Sequence, residues 1–530
     1  MSTPKSPIAQ QQRPPSSLRQ HLLDPSPAKV RVGSTRKRID TFDFPGYGTY
    51  DATATPDSEH LAALSLSMEG PSSSNPSHKL LNELEATSIS GNDILSSTFY
   101  VSGLVTLTAG KLAPLCLFLV GLVLYLFRGI YAETVTALPC NGGTYNILLN
   151  CTSKQFASLA AVFAIISYIA TGVVSALTAA AYLQTVWSGA DVQAVTISLL
   201  GVLCLLTNVG ISESAKTAKV IFLVHVATLS VLCVLGVFYC FYNYDTLFDN
   251  YTKTDYPSRV VRGETYPGTF FTALFFGFSS AMLGVSGFET SSQFIEEQAP
   301  GVFALTLRNM WYGVIIFNPL LSVISFAALT VDEVVDNKDV VLALTAKTIG
   351  NWIKKSFRFP DHVEVGNAFS TWVSIDAFVV LSGAVLTSFV GINGLIRRMA
   401  MDRCLPQSLL YKNPRTGTDS VILVGFFVLC VSQVLLLDCD VEALGGVYCF
   451  AFLSVMTIFA FGNMALKIKR PSLPRAHHVS WTVSVLGFLS VALALLGNVL
   501  GKSELLQYFM IYFIFVAIFV AVMFKRVTIM

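Results

Sequence analysis

Beyond residue 80 the chain alternates between apolar runs and short polar breaks. Twelve apolar segments can be counted, centred near residues 99, 124, 170, 200, 229, 280, 318, 381, 428, 455, 489 and 515. At a helical rise of about 1.5 Å per residue, a run of roughly twenty residues crosses the ~30 Å hydrocarbon core of a bilayer. A chain in lipid must satisfy its own backbone hydrogen bonds, so runs of this length without strand alternation predict helices. The breaks carry turn and charge signals: Asn141-Gly142-Gly143, Lys216 and Lys219, Glu296-Glu297, Arg397-Arg398, and Lys467 to Arg470. The expected fold class is an all-α polytopic membrane protein with 12 transmembrane helices occupying residues 81–530. Residues 1–80 differ: they are rich in Ser and Pro, carry a basic run from Lys29 to Arg38, and hold no long apolar segment. Such a composition buries too little apolar surface to order itself, which predicts a disordered cytosolic amino-terminal tail.

Two segments are poorly suited to lipid. The first, Ser88 to Gly110, crowds Ser90, Gly91, Asn92, Asp93, Ser96, Ser97 and Thr98 into its first half. An Asp facing hydrocarbon costs about 2.5–3.5 kcal/mol on insertion scales, so Asp93 is expected to face a protein interior or a wet cavity. The sixth, Phe270 to Gln293, is interrupted by Gly277, Gly284 and Gly287 and carries Glu289 near its end. Paired interruptions in corresponding segments mark the substrate site of transporters built from inverted repeats. Segments one and six are five apart, which predicts a 5+5 inverted repeat with interrupted helices 1 and 6 and with spans 11 and 12 accessory. The expected substrate-binding residues are Gly91, Asn92, Asp93, Ser96 and Ser97 from the first span, and Gly284, Ser286 and Gly287 from the sixth. Burial favours the protonated form of a carboxylate, which makes Glu289 a candidate for proton coupling.

Composition narrows the class. Only 13% of residues are charged, against about 25% in soluble domains. No nucleophile–base pair in a soluble frame, phosphate-binding loop or metal cluster is legible, so an enzyme is not expected, nor a metal, a cofactor or a nucleic-acid partner. The ten cysteines lie mostly in apolar runs and suggest no disulfide framework. Basic residues concentrate in alternate loops, which places both termini in the cytosol of a plasma membrane or endomembrane. Asn250-Tyr251-Thr252 then falls outside as a glycosylation sequon, and Asn150-Cys151-Thr152 falls inside and stays bare.

A set of ordered motifs carries a resemblance. Gly91-Asn92 through Phe99 is followed by Tyr131-Ala132-Glu133, Leu138-Pro139 and Gly142-Gly143-Thr144-Tyr145. Then come Glu213-Ser214-Ala215-Lys216, Gly287-Phe288-Glu289 with Glu296-Glu297 and Pro300, and Arg397-Arg398-Met399-Ala400 with Asp402 and Leu405-Pro406. In order and spacing, over about residues 88–475, the chain resembles the amino acid–polyamine–organocation (APC) superfamily of permeases. The resemblance implies a secondary active transporter of amino acids or related amines working by alternating access. Its partners would be a small-molecule substrate, a proton or other coupling ion, and the lipid bilayer. It also assigns His225 to proton coupling, because proton-coupled members often carry a lysine at that place in span five and an imidazole titrates near neutral pH. One departure stands out: where members that bind free amino acids usually have Gly-Ser/Ala-Gly, this chain has Leu95-Ser96-Ser97. With Asp93 beside it, that change favours an amine-bearing substrate over carboxylate recognition. It also motivates an alternative, a non-transporting amino acid or amine sensor of the same fold.

Overall fold

The computed structural model describes residues 80–210, 215–261, 264–360 and 362–529, together with strands β1 (Thr41–Asp43) and β2 (Thr49–Asp51). Glu213 and Ser214 of the motif quoted above lie outside the described residues. Strands β1 and β2 pair antiparallel, Phe42 opposite Tyr50, within the compact unit Met1–Thr55. Everything below belongs to the second unit, Pro56–Met530.

The chain enters the helical bundle through α1 (Glu83–Ser96), whose start is fixed chemically. Asn82 caps it, and Asn82 and Glu85 exchange reciprocal side-chain-to-backbone hydrogen bonds of 3.0 Å. The same span continues as α2 (Thr98–Ala109) and turns through Gly110–Leu112 into α3 (Ala113–Ala137). A short α4 (Gly143–Cys151) precedes the long α5 (Lys154–Val186), α6 (Val192–Asn208) and α7 (Ala215–Tyr242). On the far side come α8 (Asp245–Thr252) and the antiparallel hairpin β3 (Arg259–Val261) and β4 (Glu264–Tyr266).

The second half opens with α9 (Phe270–Ala281), which breaks into 3₁₀ turns at Met282–Val285 and Phe288–Gln293. It continues with α10 (Val302–Ala328), the loop helices α11 (Val331–Asp336) and α12 (Val341–Ser356), and α13 (Val365–Met401). The last four helices are α14 (Ser420–Leu436), α15 (Val441–Lys469), α16 (Trp481–Gly501) and α17 (Ser503–Ile529).

Among the described residues, nine helical segments are long and apolar enough to cross a membrane. The first of them, Glu83–Ala137, holds two passes joined by the turn at Gly110, and two further apolar helices, α6 and α14, fall just short. Depth in the bundle varies widely. The best membrane windows of α5 and α15 are 78% buried, and that of the last helix only 22%. Helices α5, α13 and α15 therefore form the interior, and α17 presents most of its apolar surface outward, as a lipid-facing helix must.

Two polar clusters anchor the bundle ends. At the amino-terminal face the carboxylate of Glu133 on α3 lies 3.0 Å from Lys467 Nζ and 3.5 Å from Arg475 Nε. Asn463 on α15 donates to the same carboxylate at 3.3 Å and to Thr134 Oγ1 at 2.8 Å. At the opposite face Asn250 is buried, and this overturns its expected glycosylation. Its Nδ2 donates to the carbonyls of Phe326 and Leu329 (2.8 and 2.9 Å), and its Oδ1 accepts from Val331 N–H at 3.1 Å. The amide that a sugar would need is spent on tying α8 to the end of α10.

Candidate functional site

The two interrupted spans meet at the middle of the bundle. In the first span the interruption lies not at Gly91 but at Ser97, between α1 and α2. Helix α1 runs through Gly91 unbroken because neighbouring residues bury it: a Cβ there would stand 2.4 Å from the Phe222 ring of α7. The break itself is shallow. Ser97 keeps near-helical angles (φ −62°, ψ −22°), and hydroxyls take up the carbonyls the break would free. Ser96 Oγ donates to Asp93 O at 2.7 Å, Ser97 Oγ to Ile94 O at 2.7 Å and Thr98 Oγ1 to Leu95 O at 2.8 Å.

The sixth span breaks more deeply. Gly287 adopts φ +84°, in the left-handed region where a side chain is strained. Its backbone passes so close to the first span that an added Cβ would stand 2.7 Å from Asp93 Cγ. Glycine is thus required here for conformation and for space. The turn that follows, Phe288–Gln293, delivers Thr290 to Asp93, and Thr290 Oγ1 donates to Asp93 Oδ2 at 2.5 Å. Upstream, Gly284 O accepts from Asn318 Nδ2 of α10 at 3.2 Å and has Ser97 Oγ at the same distance. Ser286 Oγ lies 3.1 Å from Tyr100 OH.

Two small adjoining cavities lie beside this junction. One is lined by Asp93, Tyr168, Thr171, Gly287, Glu289, Thr290, Thr387 and Ser388. The other shares Tyr168 and Glu289 and runs toward the amino-terminal face between Gly142, Thr144, Tyr145 and Gln293. Glu289 links them, and its Oε2 is buried without a hydrogen-bond partner. The hydroxyls of Tyr131, Tyr168 and Tyr448 are likewise buried and unpartnered, and all three lie within electrostatic reach of Glu289. Among the described residues no Lys or Arg lines either cavity. The site therefore offers two carboxylates and a ring of hydroxyls with no cation of its own. Buried acceptors without donors are costly, so the arrangement suits a cationic, hydrogen-bond-donating occupant.

The residues expected from sequence divide into three groups. Asp93, Gly287 and Glu289 border the cavities. Ser96, Ser97, Gly284 and Ser286 form the frame of the two breaks, their polar atoms engaged with backbone or with Tyr100. Gly91 and Asn92 turn toward α7, where Asn92 Nδ2 donates to Ala218 O at 3.0 Å. His225 is a fourth case. It lies outside both cavity walls, with Nδ1 2.8 Å from Asp376 Oδ2 of α13 and its ring beside Phe99 at 5.3 Å. Its Nε2 is buried and unpartnered.

Sequence reading missed Thr290, Thr387 and Ser388. Thr290 directly follows the Gly-Phe-Glu motif and could have been found from that. Thr387 and Ser388 sit in an ordinary apolar span, and only the packing of α13 brings them to Asp93.

A polytopic helical bundle with two broken spans crossing at an internal polar site is the architecture of a secondary transporter, not of an enzyme. The amino acid permease family profile matches residues 81–522, and the chain belongs to that family, within the APC superfamily. Among solved structures, the chain is similar to the crystal structure of the Eremococcus coleocola manganese transporter in complex with an aromatic bis-isothiourea substituted compound. The two share 13% identity over 84% of this chain and 94% of that one, with a TM-score of 0.46. A comparison with curated proteins finds no match. The protein is a multi-pass membrane transporter that binds a small-molecule substrate.

Proposed function

We propose that this permease carries an amine-bearing organic substrate, an amino acid or a related amine, by alternating access coupled to protons. The observation that carries the reading is the pair of buried carboxylates, Asp93 and Glu289, bordering adjoining cavities with no Lys or Arg in their walls. A substrate ammonium supplies the missing positive charge and donors, and a charge-assisted hydrogen bond in so dry a place is strong. Glu289, with an unpartnered oxygen, is the group placed to exchange a proton during the cycle, and His225, hydrogen-bonded to Asp376 outside the cavity walls, is the second residue assigned to proton coupling in this reading. In this reading the chain crosses the membrane twelve times, spans 1–5 and 6–10 forming the repeats. Both termini and the tail of residues 1–80 are cytosolic, in a plasma membrane or endomembrane.

The test is uptake of a labelled panel of amino acids and polyamines into proteoliposomes, with and without an inward proton gradient. Gradient-driven accumulation of an amine class is the expected result. A second reading, a sensor that binds ligand without useful flux, is favoured by one feature: serine hydroxyls hold span one almost helical at Leu95-Ser96-Ser97, where the resemblance implies Gly-Ser/Ala-Gly in members that bind free amino acids. Saturable binding with no flux under either gradient would replace the transporter reading by that one.

A further inference from the structure

Arg128 on α3 is a cation that the site between spans one and six does not use. It is half-buried, and its guanidinium carbon stands 4.7 Å from the centre of the Tyr125 ring and 5.5 Å from that of Trp311 on α10. The two rings lie 5.1 Å apart, and Trp311 Nε1 donates to Gly121 O at 3.0 Å, which fixes the indole against α3. Among the described residues no carboxylate pairs with this guanidinium. Glu133, the only acid of α3, is already shared by Lys467 and Arg475, two cations on one carboxylate. Aromatic faces attract a cation but do not neutralise it, and they accept none of its five N–H donors in the plane of the guanidinium.

Neighbouring contacts fix its level in the membrane. A Cβ on Gly129 would stand 3.1 Å from Val479 Cγ2, and Val479 lies two residues before Trp481, the exposed first residue of α16. A tryptophan where a span begins marks the headgroup layer, so Arg128 sits near the level at which α16 enters the bilayer. Toward the opposite face α3 exposes Leu115, Phe118, Leu122 and Tyr125, spaced three and four apart and therefore on one stripe. Helix α10 flanks that stripe at Gly121, where a Cβ would collide with Ile315; α16 packs on α3 at Gly487, whose added Cβ would stand 2.7 Å from Ile130 Cδ1. The outcome is an apolar stripe facing lipid with an unpaired guanidinium at its polar end.

We propose that Arg128, held between Tyr125 and Trp311, binds the phosphate of an anionic glycerophospholipid from the leaflet on the amino-terminal side, whose acyl chains lie along α3. A phosphodiester matches the guanidinium fork and supplies the charge that the protein withholds. A free phosphate would leave the apolar stripe uncovered, and a zwitterionic headgroup brings a cation of its own. The inference is independent of the transported substrate.

The test uses the full-length protein with Trp187, Trp352, Trp372 and Trp481 replaced by Phe, which leaves Trp311 as the sole emitter among the five tryptophans. It is reconstituted in vesicles of phosphatidylcholine and phosphatidylglycerol, with the acyl chains of one lipid or the other brominated. Quenching of Trp311 then reports how often each lipid lies beside it and yields their binding ratio. Phosphatidylglycerol should be preferred about five-fold, the contribution of one basic side chain to anionic-lipid binding, and the ratio should fall to about one in Arg128→Met. Arg128→Lys, which keeps the charge and loses the fork, should fall between the two. Should the four-Phe protein fail to fold, native mass spectrometry of the protein with all its tryptophans provides the second measurement. There Arg128→Met should retain about one phosphatidylglycerol fewer per chain. A ratio near one with Arg128 in place, a ratio or retention unmoved by Arg128→Met, or loss of the preference in millimolar inorganic phosphate would overturn the proposal.

Discussion

Replacing Asp93 by Asn separates recognition from architecture more cleanly than any other change at the site. The amide has the carboxylate's shape, and its oxygen can still accept from Thr290 Oγ1, which now stands 2.5 Å from Asp93 Oδ2. Gly287, whose backbone faces Asp93 Cγ, tolerates the substitution because no atom is added. What is lost is the negative charge. Truncating one partner of a buried hydrogen-bonded charge pair costs about 2–5 kcal/mol, which is roughly a 30- to 5,000-fold loss in affinity. The expected outcome is a fall of at least about 30-fold in kcat/KM for amine uptake by reconstituted protein. Folding should not suffer: a buried carboxylate demands desolvation that a neutral amide does not. The apparent Tm in detergent is therefore expected to be equal or higher. Uptake with kcat/KM within twofold of the unaltered protein would refute the assignment of Asp93 to the substrate.

Other predictions follow from the anchoring clusters. Asn250, buried and hydrogen-bonded, should carry no glycan, and glycosidase treatment should leave electrophoretic mobility unchanged, whereas Asn250→Ala, which deletes three hydrogen bonds, should cost about 3 kcal/mol and lower the apparent Tm. Glu133→Gln leaves Lys467 and Arg475 buried beside a neutral group, a cost of about 3–5 kcal/mol seen as reduced folded yield; adding Lys467→Met should recover part of it. In the loop after α11, burial pushes the Asp339 carboxyl above the usual carboxylate range, against the opposing pull of Lys338. A raised folded-state pKa means that the group's stabilising contribution is full below its unfolded pKa of about 4 and is lost as pH rises through the folded value. Asp339→Asn should accordingly raise the apparent Tm at neutral pH, and the gain should vanish as the pH approaches about 4.

Much of the site's vocabulary is legible in the chain, and less of its grammar. Asp93 and Glu289 announce themselves because a carboxylate within an apolar run has few uses other than function or pairing. Gly287 is legible as an interruption, but its reason, a left-handed turn pressed against Asp93, is a fact of packing. Gly91 and Asn92 carry the same sequence signal as Asp93 and yet face α7. A helix turns about 100° per residue, so neighbours in sequence look in different directions. His225 stands out as a lone imidazole, but its partner Asp376 lies 151 positions away on α13, a distance that no local pattern bridges. The sequon at Asn250 misleads for the same reason: three letters specify an acceptor, and burial decides whether it is available.

The hydrophobic pattern by itself determined a membrane-spanning helical bundle, because backbone polar groups in lipid leave a chain of long apolar runs no other solution. The sequence also placed the two weak points of that bundle, where glycine, serine and acid interrupt spans one and six. Only the tertiary structure decided what those weak points become. It closed span one with serine hydroxyls, opened span six at Gly287, and brought Thr290, Thr387 and three unpartnered tyrosines around two carboxylates. It also tied Leu81 to the segment that follows span six, through Glu297 and Ala299. Each of these depends on residues remote in sequence meeting in space, and the free energy that selects such contacts resides in packing and desolvation rather than in local preference.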